Sequence, residues 1–308
     1  MMLLLKGGGA LATTLFRSSL FTTQRRRCFC VSNMSKPVLP KFVPVKGEDS
    51  ISRNTSRSSS NPHGCKFRIV SYNILAQVYV KSSIFPYSPK PSLRWKARSE
   101  AIMTVLKSLD ADFLCLQELD EYNTFYKGNI ESNDYSSIYA QRSGDKRDGC
   151  GIFYKHSSAE LVLEEKIEYN DLVDSLKYRD SSLRVKKHDD APSSGSIESP
   201  LIVDLLSKND RRDHGDLNDP RVRLKRDCVG LMTAFKLKDH SGHLVIVANT
   251  HLYWNPELAD VKLAQAKYLL LRLAQFKEII SKNFECMPSV IVCGDFNSTP
   301  GDKVILCL

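Results

Sequence analysis

An α+β chain is what this sequence predicts, and three observations predict it. Several short apolar runs, rich in β-branched residues, each stop at a polar residue, as buried strands do. Two longer stretches carry apolar residues at helical spacing instead. No run of about 20 apolar residues exists, so no segment is expected to span a membrane. The 308 residues, 42% of them hydrophobic, allow one large domain or two small ones with a sizeable core.

The elements follow in order. Residues 66–72 read as a strand with Asn73 at its end. Residues 82–91 hold three prolines and read as a loop. Residues 92–110 read as a helix with Ile102, Val105, Leu106 and Leu109 on one face. Residues 112–116 form a second buried strand, ending at Gln117 and Glu118. Residues 137–140 and 149–154 are further strands, and the small residues of Asp148-Gly149-Cys150-Gly151 would let a backbone or ligand come close. Residues 174–220 form a polar insertion, in which His188 and His214 read as solvated surface residues. Strands resume at 229–237 and 243–248, the latter closed by Asn249-Thr250-His251. Asn255 as N-cap and Pro256 at the first position open a long helix. Its buried side is expected to include Val261, Ala264, Tyr268, Leu271 and Phe284. The last strand, 290–293, is broken by Gly294.

Charge is unevenly placed. Residues 1–47 carry eight Lys and Arg and no acid, out of a net charge of +9. The remainder is nearly neutral, so bulk charge makes no case for sequence-independent nucleic-acid binding. Any phosphate affinity must come from a local site or from metals. The basic, acid-free leader, with Leu and Phe interspersed, fits an organellar transit peptide, and the mitochondrion is the expected destination. A disordered basic tail on a protein of nucleus and cytoplasm is the alternative. Residues 1–64 as a whole read as leader and linker, and 65–308 as the folded domain. The nine Cys are odd in number and scattered, with no Cys-x-x-Cys pair. Zinc and disulfide-redox readings are therefore weak, and free thiols are expected.

Chemistry concentrates at strand ends. Asn73, Glu118, His251, Asp295 and Asn297 all stand where an apolar run stops. Strand ends of a sandwich gather at one rim, so these residues are candidates for one pocket. Asp295 and Asn297, two apart, point the same way if the backbone stays extended. Carboxylate and amide oxygens suit a hard cation that keeps waters for a substrate phosphate. His251 suits a phosphoryl or leaving oxygen. Each residue also has a plain structural alternative; for Asp295 and Asn297 it is an Asx-rich turn that caps the strand.

Ser71-Tyr72-Asn73-Ile74-Leu75-Ala76, Leu116-Gln117-Glu118, Asp148-Gly149-Cys150-Gly151-Ile152-Phe153-Tyr154-Lys155, Asn249-Thr250-His251-Leu252-Tyr253-Trp254-Asn255-Pro256 and Gly294-Asp295-Phe296-Asn297-Ser298 stand in a telling order. With Asp260-Val261-Lys262 behind them, they resemble the carbon catabolite repressor 4 type deadenylases of the endonuclease/exonuclease/phosphatase superfamily, with nocturnin and Angel as close branches. The resemblance implies a DNase I-like four-layer α/β-sandwich, two β-sheets flanked by helices. It implies a Mg²⁺-dependent 3′–5′ exoribonuclease that shortens poly(A) tails of mRNA and releases 5′-AMP, with two ions and Mn²⁺ as a substitute. Glu118 would be the direct metal ligand and Asn73 an assisting one. Asp295 and Asn297 would position water, metal and phosphate, His251 would contact the scissile phosphate, and Pro256 would lie near the adenine. The partner would be RNA with a 3′ poly(A) end. No leucine-rich repeat is present in the sequence, which leaves membership of the deadenylase scaffold complex open. The family pattern continues beyond the last motif with an Asp segment and a Ser-Asp-His segment, whereas this sequence stops eleven residues after Asn297. A fold incomplete at the C-terminus is therefore expected. A catalytically dead truncated isoform and a nocturnin-like phosphatase acting on a dinucleotide are the alternatives.

Overall fold

Two parallel strand pairs, one in each of two facing sheets, set the plan of the molecule. The computed structural model describes residues 3–5 (backbone only), 37–40, 66–174, 216, 218–239 and 242–308. The expected leader falls outside them apart from 3–5 and 37–40. So do 175–215 of the expected insertion, with His188 and His214.

The first sheet contains β2 (Ile69–Asn73), β3 (Phe113–Gln117), β4 (Tyr135–Gln141) and β5 (Gly149–Lys155), in the order β2-β3-β5-β4. The second contains β1 (Leu3–Leu5), β6 (Ala159–Glu168), β7 (Val229–Leu237), β8 (Leu244–His251) and β9 (Ser289–Asp295), in the order β1-β9-β8-β7-β6. Among the described strands, only β2–β3 and β8–β9 pair in parallel. Parallel neighbours need a crossover, and each has a helix for it. Helix α1 (Trp95–Leu109) joins β2 to β3, and helix α4 (Ala259–Phe284) joins β8 to β9. The short helices among the described residues are α2 (Lys127–Glu131), α3 (Pro220–Arg223) and α5 (Lys303–Cys307).

Three apolar layers hold this together. Ile102, Leu106 and Leu109 of α1 pack on Val70, Leu114 and Phe153. Phe113, Ile152, Leu231, Val247 and Ile291 fill the space between the sheets. Val261, Leu269, Leu273 and Phe276 of α4 pack on Ile246, Ala248, Val290 and Val292. Neighbouring residues of β9 therefore face different layers: Val290 and Val292 meet the helix, Ile291 and Cys293 meet the other sheet. Burial on both faces explains why such strands read as unbroken apolar runs rather than as alternation. The order helix, sheet, sheet, helix is the expected four-layer α+β sandwich.

Some expectations need correction. Gly294 does not break the last strand; β9 runs through it to Asp295. A Cβ at Gly294 would lie 2.4 Å from the Thr250 carbonyl oxygen of β8, and its φ is +154°. Glycine is there to let the strand pass, not to stop it. Gly149 likewise admits backbone rather than ligand: a Cβ there would sit 2.1 Å from the Ala140 oxygen of β4. Phe284 is exposed as the last residue of α4, and Leu271 is only half-buried. Lys262 and Gln265 take places on the buried face instead. Asn255 does cap, with its side chain accepting from Glu257 N–H at 2.9 Å, but the turn it caps is a 3₁₀ turn, Pro256–Leu258, ahead of α4. Strand β6 has no counterpart in the sequence reading. It is an edge strand with four Glu and one Lys and a bulge between Leu161 and Leu163. Those charges suit an edge and erase the apolar signal.

Candidate functional site

The C-terminal ends of the two parallel pairs meet across the sandwich. In the β2–β3 pair Asn73 is level with Gln117, and Glu118 follows at once. In the β8–β9 pair His251 is level with Asp295. The crevice beyond the carboxyl ends of parallel strands is where sheets of this kind bind ligands.

Buried polar bonds fix one sheet against the other just beneath this rim. Gln117 Nε2 donates to Asn249 Oδ1 at 2.7 Å, and Asn249 Nδ2 donates to the Leu116 and Gly151 carbonyls at 3.0 and 2.9 Å. Gly294 N–H donates to Ser71 Oγ at 3.1 Å. Gln117 and Asn249 are fully enclosed, where an unmet polar group costs about 1–3 kcal/mol. Satisfied as they are, they specify how the sheets register.

Above them lies the cluster itself. Asn73 Nδ2 donates to Glu118 Oε1 at 2.8 Å and to Asp295 Oδ2 at 2.9 Å. One amide thus bridges two carboxylates from opposite sheets. The amide is held in that sense because its Oδ1 accepts from Leu75 N–H at 2.9 Å. Glu118 Oε2 accepts from Ala76 N–H at 3.0 Å. Glu118 and Leu75 both have left-handed backbone, φ 57° and 59°, which is uncommon for residues with side chains and marks a constrained turn. Arg98 of α1 secures that turn, its guanidinium donating to the Ile74 and Leu75 carbonyls at 3.0 and 2.5 Å. Burial pulls the Arg98 pKa below its ordinary value.

His251 Nε2 lies 3.8 Å from Asp295 Oδ2, and its side chain is 11% exposed against 32% for Asp295. Asn297 joins by another route than the one expected. Its φ is 47°, Phe296 before it is buried, and the chain has left the extended conformation. Asp295 Oδ1 accepts from Asn297 N–H at 3.0 Å, an Asx turn. Asn297 Nδ2 donates to the Leu252 carbonyl at 2.8 Å, which leaves Oδ1 as the atom it can offer a ligand. Asn73 turns its nitrogen, not its oxygen, to the carboxylates, so in this arrangement it orients the acids from outside a cation's inner sphere. Pro256 stands exposed on the first turn after β8, outside the hydrogen-bonded cluster.

Two positioning residues have no site role in the sequence expectations, although Lys262 stands in the Asp260-Val261-Lys262 string. Lys262 is 5% exposed and donates its Nζ to the Asn297 carbonyl at 2.8 Å. Gln265 Oε1 accepts from Tyr253 N–H at 2.9 Å. Both lie on the face of α4 that carries Leu269 and Leu273, and polar residues on an apolar stripe were the signal available. Among the described residues, no group of three or more His, Cys, Asp and Glu side chains is placed to hold a metal ion. What the rim offers is two carboxylates, amide oxygen and an imidazole.

Comparison with known proteins agrees with this fold. Residues 70–305 match the model of the Endonuclease/Exonuclease/phosphatase family. "Carbon catabolite repressor protein 4 homolog 4" of Arabidopsis thaliana is 58% identical over 268 residues, covering 86% of this chain and 61% of that protein. The "CCR4-Not complex 3'-5'-exoribonuclease subunit Ccr4" of Schizosaccharomyces pombe is 28% identical over 296 residues, covering 85% of this chain and 37% of that one. The crystal structure of ANGEL2, "a 2',3'-cyclic phosphatase", with adenosine-2′,3′-vanadate aligns with a TM-score of 0.53 and 29% identity, over 76% of this chain and 54% of that one. The chain therefore spans 61% and 37% of the length of these two curated relatives, less than two thirds of either. With two sheets flanked by helices and acids gathered at the ends of its parallel strands, the chain belongs to the Endonuclease/Exonuclease/phosphatase family.

Proposed function

We propose that this chain is the hydrolytic domain of a divalent-metal-dependent 3′–5′ exoribonuclease that shortens poly(A) tails. The observation that carries the reading is the Asn73 bridge, which brings Glu118 and Asp295 together from two sheets within reach of His251. Two carboxylates drawn to one amide nitrogen repel each other, and a cation between them relieves that repulsion. All-oxygen donors of this kind fit Mg²⁺ or Mn²⁺, which need only one or two carboxylates when phosphate and water complete the shell. Glu118 and Asp295 would hold the ion, with Asn297 Oδ1 in support. The ion supplies Lewis acidity toward a phosphoryl oxygen and neutralises charge on the phosphodiester.

The remaining work falls to the protein's own groups. Asn73 keeps the two carboxylates oriented. His251, largely shielded from water, donates a hydrogen bond to a phosphoryl oxygen or to the departing oxygen. Asp295, beside it, orients the attacking water. Poly(A) RNA as substrate rests on the named relatives, of which the fission-yeast protein is called a 3′–5′ exoribonuclease and a CCR4-Not subunit. Attachment to a scaffold complex would follow the same analogy.

A second reading has its own support. The likeness to ANGEL2 favours a phosphatase acting on a 2′,3′-cyclic phosphate at an RNA end, with Glu118, Asp295 and His251 of this chain in the same roles. One experiment separates the two. End-labelled oligo(A), bearing either a 3′-hydroxyl or a 2′,3′-cyclic phosphate, is incubated with Mg²⁺ and active protein, wild type beside Glu118→Gln. Stepwise shortening that Glu118→Gln lowers by several orders of magnitude is the expected result. Loss of the cyclic phosphate without shortening would select the second reading. A Glu118→Gln rate within about tenfold of wild type would remove Glu118 from the site under either.

A further inference from the structure

Beyond the catalytic rim, one segment is unlike the rest of the domain. Residues 74–99 carry Lys81, Lys90, Arg94, Lys96 and Arg98 and not one acid. Of the chain's net +9, residues 1–47 hold +8 and these five cations a further +5, so everything else sums to −4. The basic stretch is thus an exception within an acidic remainder. Arg98 is used internally, as described above. Lys81, Lys90, Arg94 and Lys96 are exposed, and among the described residues none of them forms an ion pair.

Apolar side chains stand out from the same segment. Tyr87 is 99% exposed and Ile84 60%. A charged loop is ordinarily a solvated face, and that would account for the lysines. It does not account for an aromatic ring with no packing partner between unpaired cations. The segment is also well held at its roots. Ala76 N–H bonds Glu118, Gln77 Nε2 donates to the Leu93 carbonyl at 3.1 Å, and Arg98 Nη1 donates to Gln77 Oε1 at 2.8 Å. Short 3₁₀ turns, Gln77–Tyr79 and Lys90–Leu93, shape its two ends. It therefore leaves directly from the Asn73–Glu118 cluster as a fixed arm.

We propose that residues 78–96 are a track for unpaired RNA lying upstream of the 3′ end that enters the site. The proposal rests on the RNA-hydrolase reading and adds where the rest of the strand goes. Cations spaced along an arm meet successive phosphates, and an exposed ring offers a face on which any base can stack. Recognition of this kind is indifferent to sequence, so specificity for adenine has to arise elsewhere, at the rim.

The test measures binding without turnover. Fluorescence anisotropy of a labelled oligo(A) of about ten nucleotides, a length in the usual range of single-strand sites, is followed in EDTA at several salt concentrations. The 308-residue chain is compared with the triple variant Lys81→Gln/Lys90→Gln/Lys96→Gln and with Tyr87→Ser. All four side chains are exposed, so the fold should tolerate the changes. Loss of three phosphate contacts should flatten the slope of log affinity against log salt by about 2. Affinity at low salt should fall about tenfold or more, and Tyr87→Ser should weaken binding about tenfold with an unchanged slope. Wild-type affinity and slope in both loop variants would overturn the track and leave the hydrolase reading standing. Absence of any oligo(A) binding to wild type at low salt would overturn the track, whereas the hydrolase reading stands or falls on the Mg²⁺ experiment above. Binding of phosphatidylserine vesicles that only the triple variant loses, with oligo(A) unaffected, would assign the arm to a lipid surface and overturn the RNA assignment.

Discussion

At the scale of single residues, the arrangement turns on an amide that makes two hydrogen bonds. Replacing Asn73 by Ala removes the shared donor and spacer between Glu118 and Asp295, leaving each only its backbone N–H partner. Residues that orient metal ligands typically hold 10–100-fold in affinity. We expect Asn73→Ala to weaken Mn²⁺ binding by about that factor, read by calorimetry. Lys262 poses a different balance. Its buried ammonium has one carbonyl acceptor and no acid in an ion pair among the described residues. Burying a charge costs several kcal/mol, which one charge-assisted hydrogen bond does not offset. Lys262→Met should therefore leave stability to urea unchanged or raise it. It should also loosen the Asn297 turn and lower activity about tenfold. A Lys262→Met protein that is both less stable and fully active would show the lysine to be structural.

At the scale of elements, close passage of β8 and β9 is the constraint that brings His251 level with Asp295. Gly294→Ala would press a methyl group on the Thr250 carbonyl. Relief of such overpacking typically costs about 1–3 kcal/mol, or several degrees of melting temperature in a domain of this size. We expect calorimetric melting to fall accordingly, and an unchanged melting temperature would show that the strands part easily. The entry to α4 is tied to α3 by Arg223, which donates to both oxygens of Asp260 at 2.7 and 2.9 Å. That bond holds the Asp260 carboxyl below its ordinary range. A depressed carboxylate contributes stability above its unfolded pKa of about 3.9 and loses it as pH falls through the folded value. The pair is partly exposed, so its contribution is about 1 kcal/mol or less. Asp260→Asn should remove that small increment at pH 7 and should match wild type in strong acid, as urea titrations would show.

Elements also show why some of this could be read in advance and some not. β3, β5, β7 and β9 are buried on both faces, so their sequences are mostly apolar, broken in β7 by Thr233 and Lys236, and each is legible to within a residue or two. β6 lies at an edge among charges and was missed. Asn73, Glu118, His251 and Asp295 stood out one by one because each ends such a run. That one amide of β2 would bond an acid of β9 was not legible. It depends on the parallel pairs, on the order of strands and on the Gln117–Asn249 bridge between sheets, and sequence spacing carries none of these. The turn at Asn297 shows the same gap, since burial of Phe296 decided where the backbone turned.

At the scale of the whole molecule, charge is partitioned into a basic leader, a basic arm beside the site and an acidic remainder. We propose that the leader addresses the protein to an organelle. Residues 1–47 fused to a fluorescent reporter should carry it to mitochondria. An even spread through cytosol and nucleus would speak for a plain basic tail. At this scale, the two sheets converge to build the proposed site for a divalent cation. Titration of the purified 308-residue chain with Mn²⁺, followed by calorimetry, tests it most directly, because it needs neither substrate nor turnover. Saturable binding, lost or weakened about 100-fold in both Glu118→Gln and Asp295→Asn, is the predicted result. Saturable binding that both variants retain at wild-type affinity would contradict it.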